Sequence, residues 1–157
     1  MCIRGAAEAE VRHRRMGAWM REKQLAESTK CDRQLSPELL AGVRQFNAGE
    51  YFACHETLEE LWLAERGELR GLYQGILQVG VGLYHLQRGN ERGALLLLAR
   101  GTELLRPFSP ECLGIDVAGL VGGAEKVLTT LEILGLEGTQ ALARGLFPQI
   151  RWVGRRE

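Results

Sequence analysis

The sequence predicts an all-α fold, a compact bundle of five to six short helices with largely antiparallel neighbours. Three observations predict it. Leu is abundant and β-branched residues are scarce, a balance that favours helix over strand. Apolar residues recur at intervals of three and four through consecutive segments. Short breaks containing Gly, Asn or Pro separate those segments, so sequential helices must turn back on one another. No stretch alternates as a strand would, and no internal repeat is present.

Residues 1–33 form a polar N-terminal extension, read as a short helix from about Glu8 to Glu27 or a mobile arm. Met16 and Met20 offer alternative start codons within it. The helical core domain spans 34–135. Ser36 is a suitable N-cap and Pro37 fits the first helical position. Leu39, Leu40, Val43 and Phe46 keep helical spacing, and Asn47 with Gly49 supplies the stop. A second helix is expected from about Glu50 to Glu65 and a third from about Glu68 to Arg88. Gly89 and Asn90 suit the left-handed turn that ends the third. A fourth runs from about Glu91 to Arg106, stopping before Pro107. "FSPECLGI" reads as a loop. Asp116 can cap a fifth helix that ends near Leu134, before Gly135. Residues 136–157 hold a short sixth helix, about 137–146, and a basic tail.

At 157 residues the chain can bury a core without staples. Its 45% hydrophobic and 25% charged content is that of a soluble globular protein. Formal net charge is zero, yet it is unevenly spread. Residues 34–143 carry eight Lys/Arg against fourteen Asp/Glu, while the two ends are mildly basic. Neither end has the charge density of a nucleic-acid arm, so nucleic acid is not the expected partner. Cys2, Cys31, Cys54 and Cys112 are widely spaced and form no C-x-x-C pair. That pattern argues against a zinc knuckle or disulfide framework and for a reducing compartment. The start lacks the apolar core of a signal peptide, and "ALLLLA" is too short to span a membrane. A cytoplasmic location is expected.

The chemistry concentrates in "CHETLEELW", Cys54 to Trp62. On a helical wheel of about 100° per residue, Tyr51, Phe52, Leu58, Leu61 and Trp62 share one broad arc. Glu56, Thr57 and Glu60 lie opposite. His55 and Glu59 fall inside the apolar arc, four residues apart and therefore neighbours on one face. A buried carboxylate needs a partner, a proton or a metal. A buried His–Glu pair is either a hydrogen-bonded bridge fixing helix register or half of a metal site. The third helix offers further groups: Gln74, Gln78 and His85 form a polar stripe with Val81. If that stripe faces the second helix, His55, Glu59, Gln78 and His85 converge. Gly71, Gly75 and Gly82 gather on one edge, where another helix can approach closely. Cys54 reads as a small buried hydrophobe and Trp62 as core. Phosphate-loop, dinucleotide, nucleophile-elbow and H-E-x-x-H motifs are all missing.

"FNAGEYFACHETLEELW" followed by "GLYQGILQVGVGLYHLQRGNERGALLLLARGTELL" closely resembles the bacterial and archaeal family known as domain of unknown function 309. His, three residues, Glu, two residues, then Trp is met here by His55, Glu59 and Trp62. Phe46-Asn47, Gly49, Tyr51-Phe52, Gln74, Gln78, His85, Arg88-Gly89-Asn90 and Gly93-Ala94 extend the fit. The resemblance covers roughly residues 38–134. It implies a compact all-α bundle and a metal-binding role suggested for the motif, but no activity.

The first functional expectation is a structural or protein-interaction module whose His/Glu cluster sets helix packing and whose surface takes a protein partner or a second copy. The alternative is a metal-binding protein or metal-dependent hydrolase. There His55, Glu59 and His85 would hold a divalent ion such as Zn, Mn or Fe, supported by Gln74, Gln78 and Trp62.

Overall fold

The computed structural model describes residues 16–21 and 31–154. The chain divides into two units, Met1–Arg33 and Gln34–Glu157. In the first, residues 16–21 are helical, with Met16, Trp19 and Met20 exposed. The rest of the helix expected from Glu8 to Glu27 lies outside the described residues.

The second unit is a helical bundle. Helix α1 (Pro37–Asn47) begins as its sequence dictates, with the Ser36 hydroxyl accepting from the Leu39 N–H at 3.1 Å. Helix α2 covers Tyr51–Ala64, α3 Arg70–Gln87 and α4 Glu91–Leu105. A 3₁₀ turn follows at Arg106–Phe108. The last helix, α5, runs Val117–Leu146 and is broken at Gly135, whose φ of 69° and ψ of −174° are not helical. The stop expected before Gly135 is found there, and the short helix expected at about 137–146 follows it. The Asp116 carboxylate accepts from the Gly119 N–H at 2.8 Å, capping α5 as expected.

One expectation is corrected. "FSPECLGI" is not a plain loop: Glu111–Cys112 (β1) pairs antiparallel with Ile115–Asp116 (β2). Leu113 and Gly114 both have positive φ, 53° and 76°, as the tightest hairpin turns require. Two-residue strands are too short for alternation to show in a sequence. Residues 151–153 join this hairpin. The Asp116 N–H donates to the Arg151 carbonyl (2.9 Å) and the Val153 N–H to the Gly114 carbonyl (2.7 Å). Asn47 holds the same segment from the other side: its amide donates to the Ile150 carbonyl (2.9 Å) and accepts from the Ile150 N–H (2.7 Å).

A second correction concerns the cysteines. Cys54 is a free, buried thiol, but Cys112 is disulfide-bonded. Disulfides join residues that meet in space, which sequence spacing does not report. No described helix is long and apolar enough to cross a membrane.

Helix α3 is the bundle's centre, with ten of its 18 residues buried. It lies against α4 at glycines. A Cβ on Gly101 would stand 2.7 Å from Val79 Cγ2, 2.9 Å from the Val79 backbone nitrogen and 3.0 Å from the Gly75 carbonyl. Gly82 would meet Leu98 at 2.8 Å. Around this contact Leu72, Ile76, Leu83, Leu86, Leu98 and Leu105 are fully buried, each stabilising the fold by about 1.5–3 kcal/mol relative to exposure.

Replacing Gly101 by Ala should raise helix propensity yet lower stability by about 1–3 kcal/mol, because backbone atoms block the new methyl. Gly122→Ala, with nothing within 4 Å of its added Cβ, should be neutral or stabilising by up to about 1 kcal/mol. Urea unfolding of both variants checks the opposite signs.

Candidate functional site

Helices α2 and α3 run antiparallel. The start of α2 meets the end of α3, with the Phe52 and Tyr84 ring centroids 6.2 Å apart. At the other end Arg70 of α3 donates to the Trp62 and Glu65 carbonyls, at 3.2 and 3.1 Å. Between the first pair of ends lies a small cavity of about 150 Å³, lined by Tyr51, Phe52, His55, Val81, Tyr84 and His85. His55 and His85, on different helices, thus share one pocket. Its floor is buried Tyr51, its rim the 60% exposed Phe52.

The other expected residues go elsewhere. Glu59 does not line this pocket. Moving from His55 to Glu59 along α2 means moving back along α3, away from His85. Gln74 and Gln78 line a separate groove with Arg100, Glu103 and Leu104. The reason is geometric: Gln74 to His85 is eleven residues, about 16 Å of helix, so the stripe cannot converge on a point. Trp62 stacks under the Arg70 guanidinium, 4.8 Å from the ring centre, in the last turn of α2. Its indole N–H and the Gln78 side-chain carbonyl are buried without hydrogen-bond partners among the described residues.

The expected buried His–Glu bridge is corrected. His55 and Glu59 are both half-buried, and no hydrogen bond or ion pair joins them. The face of α2 turned to the core is Tyr51, Cys54 and Leu58, leaving His55 and Glu59 at its edge. The apolar arc of the wheel also took in Phe52 and Trp62, which are exposed and half-buried. Among the described residues, no three or more His, Cys, Asp or Glu side chains are grouped to hold an ion.

His85 is set from the α3–α4 turn. Gly89, at φ 79°, lets the chain reverse. Asn90 then caps α4, its Oδ1 accepting from the Gly93 N–H at 2.9 Å, and its Nδ2 lies 3.2 Å from His85 Nδ1. A Cβ at Gly93 would fall 2.7 Å from Asn90 Nδ2 and 3.0 Å from His85 Cδ2. Glycine at 93 therefore makes room for this contact. Sequence reasoning treated Asn90 only as a turn residue; the N-cap spacing Asn-x-x-Gly beside a histidine was the signal for more. The aromatic residues Tyr51, Phe52 and Tyr84 were also not read as site residues.

Residues 39–97 match the family model described as domain of unknown function, DUF309. The family match is to this segment and not to the whole chain. The chain is similar to an uncharacterized protein, YpuF, of Bacillus subtilis (strain 168), with 36% identity over 86 residues. That match covers 53% of this chain and 49% of the relative. It is also similar to an uncharacterized protein of Aquifex aeolicus (strain VF5), 26% identical over 89 residues, 56% of this chain and 27% of the relative. The matches thus take in about half and about a quarter of those relatives' lengths. The DUF309 segment contains all six pocket residues together with Asn90 and Gly93, whereas Arg100 and Glu103 of the second groove lie beyond it.

Two buried groups of the DUF309 segment have shifted proton affinities. Burial pushes the Cys54 thiol up to about 12, partly offset by a hydrogen bond with the Phe46 backbone. Burial, with nearby Cys54 adding to it, pushes the Tyr51 hydroxyl up to about 12. Unfolded, they ionise near 9.0 and 10.0. Their contribution to stability is therefore full below about pH 9 and lost as pH rises toward 12. The urea midpoint should fall across that window, and Cys54→Ala with Tyr51→Phe should flatten the fall. Iodoacetamide at about pH 8 should leave Cys54 unmodified until the chain is unfolded.

Proposed function

We propose that this protein is a protein-interaction module and that its contact site is the α2–α3 pocket. The observation that carries this is the pocket's make-up: two imidazoles among aromatic walls, with an exposed phenyl ring on the rim. A cavity of about 150 Å³ matches one aromatic or branched side chain. Small apolar pockets edged by aromatic residues are where interfaces concentrate their binding energy. The occupant is an apolar side chain of a partner segment.

Selection of displayed peptides against the immobilised chain tests this. Enriched peptides should share an apolar anchor, and Val81→Trp, which fills the cavity, should weaken them at least about tenfold, the loss of one anchor of 1–2 kcal/mol or more. Peptides that bind Val81→Trp unchanged, or no enrichment at all, would sink the proposal. Sedimentation velocity of the wild type separates a second copy of the chain from a different partner.

The convergence of His55 and His85 keeps a metal-dependent hydrolase as the second reading. Its donor set is weak: Glu59 stands outside the pocket, and the Asn90 amide occupies Nδ1 of His85. Chain purified without chelators should carry no near-stoichiometric Zn, Mn or Fe by mass spectrometry. Near-stoichiometric metal lost in both His55→Ala and His85→Ala would favour the hydrolase instead.

A further inference from the structure

The turn after α3 does more than reverse the chain. The Gly93 N–H lacks an intrahelical acceptor, as does every amide in the first turn of a helix. Asn90 Oδ1 supplies one at 2.9 Å. That bond fixes the amide's orientation, because only the oxygen can accept. The NH₂ end is then left 3.2 Å from His85 Nδ1. An NH₂ group donates and cannot accept, so Nδ1 must be the acceptor. A neutral imidazole with a lone pair on Nδ1 carries its proton on Nε2. Flipping the amide would reverse this only by breaking the helix cap.

We propose that Asn90 is a positioning residue that fixes His85, a lining residue of the α2–α3 pocket, as its Nε2–H tautomer, and that this N–H donor selects an apolar group bearing a hydrogen-bond acceptor. The selection of an acceptor rests on the interaction reading above; the tautomer does not. The inference also explains Gly93. Any side chain there would collide with both Asn90 Nδ2 and His85 Cδ2 and displace the contact. It explains the weakness of the pocket as a metal site as well, since a protonated Nε2 cannot ligate.

The test is the long-range proton–nitrogen spectrum of the full chain at a pH where imidazoles are neutral. The chain has three histidines, and His85→Gln assigns the signal. Asn90→Asp keeps the cap but turns an oxygen toward Nδ1; Asn90→Ser keeps the cap and withdraws the contact. Both are good N-cap residues, so both variants should fold. The wild type should show His85 protonated at Nε2, Asn90→Asp should move the proton to Nδ1, and Asn90→Ser should give a mixture. A wild-type proton on Nδ1, or a tautomer unchanged in both variants, would overturn the assignment.

Acetophenone and toluene, the same ring with and without an acceptor, then probe the pocket through shifts at Tyr84 and His85. Acetophenone should bind about three- to tenfold tighter than toluene in the wild type, and the preference should vanish in Asn90→Asp. Equal binding would remove the donor's role in selection. If neither probe moves the pocket, the interaction reading fails, while the spectrum still decides the tautomer.

Discussion

Gly75, Gly82 and Gly101 let the backbones of α3 and α4 touch, and the rest of the bundle is arranged around that contact. Where two helices meet through side chains, each can rotate a little and repack. Where they meet at a carbonyl and an amide nitrogen, as Gly101 does with Gly75 and Val79, rotation drives main chain into main chain. The orientation of α3 is thereby fixed. Leu72, Ile76, Leu83 and Leu86 turn inward, and Val81, Tyr84 and His85 are left facing α2. The pocket is a consequence of this rotation as much as of its own residues.

The same contact explains how a short turn can control a side chain. Helices α3 and α4 are joined by only three residues, Arg88, Gly89 and Asn90. Because the two helices are held close, the capping residue of one lies within hydrogen-bonding distance of the last turn of the other. Asn90 serves both, closing the first turn of α4 and touching His85. A looser helix pair would need a longer connection, and the cap would lose its second role.

Much of the architecture was legible in the sequence because it rests on local chemistry. Ser36-Pro37, Asp116 and Gly135 announce helix ends whatever surrounds them, and glycines clustered on one edge of α3 announced a close neighbour. The site was legible in part. His55 and His85 were found as polar residues on largely apolar helices, and both line one pocket. Glu59, Gln74 and Gln78 were grouped with them by periodicity, which reports a shared face but not a shared height along the helix. The wheel also counted Phe52 in the buried arc of α2, since a large apolar residue at a rim looks like core. The hairpin at Glu111–Asp116 is extended by the Ile115–Trp152 bridge, a contact across 37 residues that no local pattern carries.

The two hydrogen bonds between Asn47 and Ile150 join residues 103 apart in sequence. During synthesis, a ribosome adding about 5–20 residues per second delivers Ile150 some 5–20 s after Asn47. Through that interval the end of α1 has no partner for its asparagine, and the hairpin lacks the strand-like segment that covers it. Helices α1 to α4 can collapse early, because their contacts are mostly near in sequence, but the structure is locked only by nearly its last described residues. The end of α1 and the hairpin thus acquire the segment that ties them together only after residue 150 has been made.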